Sequence, residues 1–318
     1  MKDDVCILIP TLNEGQTIGT LIKEFKSLGY NNILVIDGHS KDNTAKIARN
    51  AGAKVVIQSG KGKGQAVKQA FDLIDSEAKR SVDLACKVGE PKASSEYVVM
   101  IDGDGTYLPS DIDIVLAPVL KGEADHVIGN RFKEYEKGAF TKLNLIGNQL
   151  LNKIFGFAYG VWLNDILSGY RAFTKNTIKQ LELNKTGFEV EAEITIESVK
   201  KNLRITEVPI TYLSRKGMSA TKLNPLKDGF KIGYTIYKLA KTHNPLFYFG
   251  VIGAIFLISG IGIGIYIVQE WFKGIDHIPL TILATILIIS GFQLFIFGLI
   301  GDLIASLHKE LMRAIKEK

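Results

Sequence analysis

Tyr97-Val98-Val99-Met100-Ile101 runs straight into Asp102-Gly103-Asp104-Gly105. Five apolar residues closed by turn formers read as a buried β-strand whose carboxyl end delivers two carboxylates. Two carboxylates two residues apart at the mouth of a buried strand are costly unless something neutralises them. A hard divalent cation bound to a nucleotide diphosphate would do so. A solvated turn, in which Asp and Gly are favoured, is the plainer alternative.

Working outward, Val5–Ile9 and Asn32–Asp37 are short apolar runs with a helical pattern from Thr17 to Leu28 between them. Lys54–Gln58 and His126–Gly129 read as further strands. This βαβ rhythm predicts an α/β fold with a mostly parallel sheet and helices on both faces. Such sheets bind ligands outside the carboxyl ends of their strands. Asp75–Glu96 breaks the rhythm: it is polar, holds Gly89 and Pro91, and shows no clear period. It reads as a surface insertion with no function to assign.

Three other segments bring polar residues to that crevice. Pro10-Thr11-Leu12-Asn13-Glu14 follows the first strand, and Asp37-Gly38-His39-Ser40-Lys41-Asp42-Asn43-Thr44 follows the second. Helix capping by Asn13 or Ser40 is a sufficient structural explanation for either. Gly60-Lys61-Gly62-Lys63-Gly64 precedes a helical stretch, where glycines let backbone amides approach a phosphate and lysines add charge.

The chain has 318 residues, 46% of them hydrophobic, and a formal charge of +6, which excludes a disordered or collagen-like chain. That charge is unevenly placed. Residues 1–199 hold 24 basic and 26 acidic side chains, residues 200–244 hold 10 and 2, and residues 245–318 hold 5 and 5. A nucleic-acid protein would carry its basic residues along the soluble domain, which here is net negative. Immediately after the basic stretch, Pro245–Gln269 and Ile278–Gly301 are uncharged runs of 25 and 24 residues. Each would span roughly 36 Å as a helix, enough to cross a hydrocarbon core of ~30 Å. The linker between them holds only Lys273, whereas Lys227, Lys231, Lys238 and Lys241 precede the pair and Lys309, Arg313, Lys316 and Lys318 follow it. The positive-inside rule then places both termini in the cytoplasm. The two cysteines, Cys6 and Cys86, carry no metal-type spacing and fit a reducing compartment.

In this order the four motifs resemble those of the family-2 inverting glycosyltransferases, whose nucleotide-sugar domain has the Rossmann-like GT-A fold. The resemblance continues through Gly129-Asn130-Arg131, Asp165-Ile166-Leu167-Ser168-Gly169-Tyr170-Arg171, Gly187-Phe188-Glu189-Val190-Glu191, Glu207-Val208-Pro209-Ile210 and Arg215-Lys216-Gly217-Met218-Ser219. With the basic segment and apolar hairpin behind them, these are similar to the dolichyl- or polyprenyl-phosphate branch.

The resemblance implies transfer of one sugar from a nucleotide-diphosphate sugar to a membrane polyprenyl phosphate. Pro10, Asn13, Glu14, Asp37, Ser40, Lys63 and Asp102 would hold the donor, and Asp102 and Asp104 a Mg or Mn ion on its diphosphate. A uridine-linked donor is favoured over a guanosine-linked one, and a homo-oligomer is left open. Asp104 and Arg215 would stabilise the leaving diphosphate; Asp165 resembles a position that often serves as base, with an orienting role equally open. Arg131, Arg171 and Arg215, helped by Ser219 and Lys222, are expected at the acceptor phosphate. Related mannosyltransferases often continue the acidic motif with Leu-Gln, where this chain has Gly105-Thr106, so Thr106 or water would fill a third metal position.

The expected organisation is a GT-A domain over 1–222, an amphipathic interfacial helix over 223–244, a transmembrane hairpin over 245–301 and a basic tail over 302–318. The stripe Asn144, Asn148, Asn152 suggests either a solvated helix face or one lining an acceptor groove. A processive polysaccharide synthase would carry Gln-x-x-Arg-Trp before its membrane helices, which neither Trp162 nor Trp271 completes. A non-catalytic membrane-anchored binding protein would not need the acidic pair and the arginines.

Overall fold

Strands β1 (Val5–Thr11), β2 (Ile33–Asp37), β3 (Lys54–Ile57), β4 (Tyr97–Met100), β5 (His126–Tyr135), β6 (Arg171–Thr174) and β7 (Ile205–Tyr212) build one sheet. Their order is β3-β2-β1-β4-β6-β5-β7. The computed structural model describes residues 2–88, 95–215 and 225–316. The strand-to-strand pairings are parallel except those of β6, which runs antiparallel to both β4 and β5, and a single antiparallel bridge joins Tyr107 to Tyr212 of β7.

β1 shows why the sheet is closed on both sides. Its seven residues are all buried, as a continuous apolar run in a parallel sheet should be. Val5, Ile7 and Ile9 enter one core with residues of α1 (Ile18–Ser27), α2 (Thr44–Asn50) and α4 (Ile112–Leu120). Cys6 and Leu8 point the other way, into a core with α3 (Lys63–Val88), α6 (Lys175–Gln180) and α7 (Val190–Lys200). The alternation of successive side chains thus builds a three-layer α/β/α unit.

The strand order reverses between β1 and β4, the switch point at which open α/β sheets take ligands. Thr11 lies opposite Asp37 and Leu8 opposite Met100, so the segments after β1, β2 and β4 leave the sheet at one edge. Because β6 is antiparallel, with Arg171 opposite Met100, the segment entering it reaches that same edge. This strand and β7 were not expected from hydrophobic pattern. Arg-Ala-Phe-Thr is four residues beginning with a charge, and β7 alternates weakly and contains Pro209.

Two other boundaries differ from expectation. α3 continues through Val88, so the first part of the supposed insertion 75–96 is helix, while 89–94 lie outside the described residues. Glu77-Ala78-Lys79-Arg80 are helix formers without an apolar period, which hid the helix from a pattern argument. At the other end, the expected tail at 302–318 is helix through Lys316.

The chain divides into two units, one of residues 1–154 and 161–235 and one of residues 155–160 and 236–318. The division therefore falls inside α5 (Lys142–Tyr159) and α8 (Pro225–His243). In the second unit, α9 (Pro245–Trp271) and α10 (Ile278–Lys316) form an antiparallel pair, each long and apolar enough to cross a bilayer. Their contact is built on small residues: a Cβ on Gly253 would lie 2.9 Å from the Gly291 carbonyl oxygen, and one on Gly260 2.8 Å from Ile288. Backbones approach this closely only where side chains are absent.

Candidate active site

The loops after β1 and β2 are stitched to each other. Asn13 adopts a left-handed backbone (φ 51°), which Asn tolerates. Its Oδ1 accepts the Lys41 N–H at 2.7 Å, and its own N–H donates to Ser40 Oγ at 2.8 Å. Glu14 N–H donates to Thr44 Oγ1 at 2.8 Å and Gly15 N–H to Asp42 Oδ2 at 3.1 Å. Hence Asn13 and Ser40 fix the shape of the crevice wall. Asp37 differs from them: its Oδ2 accepts the Ser40 N–H at 3.0 Å, but its Oδ1 is buried without a hydrogen-bond partner, as is Thr11 Oγ1. Buried acceptors are rarely left so, because each forfeits its hydration. Both lie at the carboxyl ends of β1 and β2, beside the point where the strand order reverses.

Each carboxylate of the acidic pair is matched by a cation. Lys63 Nζ lies 2.5 Å from Asp102 Oδ1 and 2.5 Å from Glu191 Oε1. Burial works against the ammonium, but the two carboxylates outweigh it and hold Lys63 protonated far above the ordinary lysine range. Asp104 Oδ2 pairs with Arg215, and its Oδ1 accepts from Thr106 N at 3.1 Å and Thr106 Oγ1 at 2.7 Å. Burial pushes the Asp104 carboxyl up; the bonds from Thr106 and Arg215 more than offset this and hold it below the usual range. The Thr106 hydroxyl therefore orients Asp104. Behind Asp102, the backbone of Gly169 comes so close that a Cβ there would lie 2.3 Å from Asp102 Oδ2. Among the described residues, no group of three or more His, Cys, Asp or Glu is arranged to hold a metal by itself.

The glycine-rich segment corrects an expectation. A Cβ on Gly62 would stand 2.1 Å from the Thr186 carbonyl oxygen, and one on Gly64 2.1 Å from that of Lys185. Gly64 N–H donates to Thr186 O at 3.0 Å. These glycines make room for the chain at 185–187, and the backbone amide of Gly64 is spent there rather than offered to a phosphate. Glu193 anchors that chain from beneath, accepting from Asn184 N at 3.0 Å and Lys185 N at 2.8 Å. Gly64→Ala should lower stability by about 3 kcal/mol, the upper range for an overpacked site, because the obstacle is backbone that cannot rotate away. Equilibrium urea unfolding of the purified chain measures this; an unchanged midpoint would contradict the account.

Asp165 and Arg131 form one buried unit. Asp165 Oδ2 accepts from Arg131 N at 3.0 Å and Nε at 2.7 Å, and Oδ1 from Nη2 at 2.7 Å. The rings of Phe132, Phe140 and Tyr212 surround the guanidinium at 5.8, 5.6 and 5.4 Å. Asp165 has no exposed surface, and both its oxygens are engaged. In this arrangement Asp165 orients Arg131 through the Nε and Nη2 groups of its guanidinium. Arg171 departs further from expectation. It is fully buried, with Nε donating to Ser168 O at 2.7 Å, Nη2 to Ile166 O at 2.6 Å and Nη1 to Thr195 Oγ1 at 2.9 Å, and Nη1 also lies 3.1 Å from His126 Nε2. It ties the turn before β6 to α7 and cannot reach an acceptor. Of the expected acceptor cluster, Arg215 stands at the acidic pair, while Ser219 and Lys222 lie outside the described residues.

With this geometry in view, comparison with known proteins is informative. Residues 6–181 match the family described as glycosyl transferase family 2. The chain is 43% identical, over 99% of its length and 98% of the relative's, to the glycosyltransferase AglJ of Haloferax volcanii. The chain belongs to glycosyltransferase family 2. It is also 30% identical to a UDP-N-acetylglucosamine–dolichyl-phosphate N-acetylglucosaminyltransferase of Methanococcus voltae, over 74% of this chain and 95% of that one. A glucosyl-3-phosphoglycerate synthase from Mycobacterium tuberculosis, solved with Mn2+ and UDP-glucose, shares the fold with a TM-score of 0.55 at 21% identity, over 75% of this chain and 78% of that one. The sheet is thus that of a GT-A glycosyltransferase, as expected.

Three side chains of this transferase's site had no individual sequence signal. Glu191 was visible only inside a family motif, yet it is the second carboxylate on Lys63. Glu207 accepts from Asn164 N at 2.9 Å and Asp165 N at 2.8 Å, fixing the loop that carries Asp165. Asn152, the last of the asparagine stripe, bonds both Asn164 O and, at 3.2 Å, the Ile166 N–H. That stripe therefore includes a brace for the site, and it is the burial of Asn152, which its spacing does not reveal, that sets it apart from Asn144 and Asn148.

Proposed function

We propose that this glycosyltransferase moves one sugar from a nucleotide-diphosphate sugar to the phosphate of a membrane polyprenol of the dolichyl class, inverting the anomeric centre. The observation that carries the reading is the pairing of Asp102 with Lys63 and of Asp104 with Arg215 at the switch point, beside the unmet acceptor of Asp37. The names of the relatives, which include a dolichyl-phosphate hexose transferase of Haloferax volcanii at 31% identity over 74% of this chain and 94% of its own, support the acceptor class.

In the reaction the acceptor phosphate oxygen forms a bond to the anomeric carbon as the bond from that carbon to the diphosphate oxygen breaks, and the nucleoside diphosphate leaves with the electron pair. Lys63 and Arg215 bring two fixed positive charges to the diphosphate end of the crevice. The Asp37 Oδ1 acceptor suits an N–H or hydroxyl of the nucleoside, with a uridine-linked donor favoured. Asp102 and Asp104 would hold a Mg or Mn ion, since hard carboxylate oxygens completed by phosphate oxygens fit its preferences. When bound, such an ion neutralises charge on the departing diphosphate. A phosphate monoester with a second pKa of about 6 is already an anion at neutral pH, so no general base is required. That agrees with Asp165 being fully engaged by Arg131.

The acceptor's location fits the rest of the chain. On α8, Leu226 and Phe230 are 73% and 77% exposed among Lys227, Lys231, Lys238 and Lys241, the pattern of a helix lying in the headgroup boundary of an anionic membrane. α9 and α10 would then span the bilayer, with both termini cytoplasmic by the distribution of lysines and arginines. Membranes containing the chain, given polyprenyl phosphate and labelled UDP- or GDP-sugars in turn, should yield a labelled lipid with at least one donor. Chelation should remove that transfer, and added Mg or Mn should restore it. Absence of lipid product from every donor would falsify the reading; transfer surviving thorough chelation would remove only the metal.

A further inference from the structure

α10 has two faces of opposite character. Ala284, Gly291 and Gly298 recur every seven residues and are buried in the hairpin, where a Cβ on Gly291 would come within 2.6 Å of Leu257. On the opposite side, Ile282, Ile286, Ile289, Gln293, Ile296 and Ile300 follow one another at alternating steps of four and three, and all six are exposed. A face of isoleucine alone is what lipid accepts. Gln293 breaks it: it lies near the middle of the apolar segment Ile278–Leu307, and its amide makes no side-chain hydrogen bond among the described residues. A carboxamide at that depth, facing hydrocarbon, lacks both its donor and its acceptor partners.

We propose that a second copy of this chain covers this face, with the two Gln293 amides bonded to each other. The inference rests on the membrane reading of α9 and α10. Two copies inserted the same way hold their α10 helices parallel, and a symmetry axis along the bilayer normal places every residue at the depth of its twin. A carboxamide both donates and accepts, so two at equal depth satisfy one another. An unrelated helix would need a complementary polar group at that depth, which symmetry supplies without further design. Positions 282, 289 and 296 and positions 286, 293 and 300 each recur every seven residues, two to a heptad, the repeat of a left-handed helix seam in which one central polar residue sets register.

The test uses the full chain in lipid vesicles, with Cys6→Ala and Cys86→Ala removing the native thiols. Ile289→Cys and Ile296→Cys, which keep Gln293, should form disulfide-linked dimers on mild oxidation several-fold more than Phe292→Cys and Leu299→Cys, which are equally exposed but off the seam. Gln293→Leu should weaken association about tenfold by energy transfer between labelled copies. Equal cross-linking on both faces, none on either in carbonate-washed membranes that retain the chain, or an unchanged Gln293→Leu affinity would each overturn the second copy and leave the membrane reading standing. Release of the chain by carbonate would overturn both.

Discussion

Asp104→Asn should reduce kcat/KM for sugar transfer by roughly 10²–10³, the scale seen when one preorganised stabilising group is removed from a transition state. The substitution keeps the side chain's shape and one oxygen for Thr106, whose N–H and hydroxyl lie 3.1 and 2.7 Å away. What it removes is the negative charge that holds Arg215 and that would hold a divalent ion. Since the Arg215 side chain is 22% exposed, solvent takes over part of its charge and the loss of stability should be small. The two measurements together decide the matter. Initial rates with saturating lipid should collapse while the unfolding midpoint moves little; a collapse of both would make Asp104 structural, and a change in neither would remove it from the site.

Asp165→Asn should have the reverse profile. Its carboxylate has no exposed surface and takes three bonds from Arg131, which aromatic rings enclose. Breaking such a pair by removing one partner costs about 3–5 kcal/mol, because the guanidinium stays buried without its counter-charge. For a domain of this size that lowers Tm by roughly 10 °C. Below that temperature the residual transfer should keep the wild-type dependence on pH, since the phosphate acceptor needs no base. A stable variant that loses a basic or acidic limb of the profile would instead return Asp165 to proton transfer.

The first half of the fold was legible because its signals are local. β1, β2 and β4 are apolar runs closed by turn residues, and their polar loops follow directly in sequence. The second half is organised by β6 and β7, which pair across the sheet but have little apolar pattern of their own. For the site, residue type was legible and partnership was not. The glycines around Lys63 looked like a phosphate cradle, yet Gly62 and Gly64 answer to the carbonyls of Thr186 and Lys185. Arg131 and Arg171 looked alike as candidate anion clamps. One proved to be held by Asp165 and the other by carbonyls, Thr195 and His126, a distinction that depends on distant contacts rather than on neighbours in sequence. The charge of the basic stretch, in contrast, needed no contacts to read, since its meaning lies in its place before the first apolar run.

The bond from Gly64 to Thr186 has a consequence for how the protein is made. The Lys63 loop is translated early, but the backbone that shapes it, and Glu191 which anchors Lys63, emerge only after all of β1 through β6. During synthesis at about 5–20 residues per second, the nascent chain therefore passes many seconds with its donor crevice unformed. The partners of the Lys63 loop are thus all translated before the apolar helix α9.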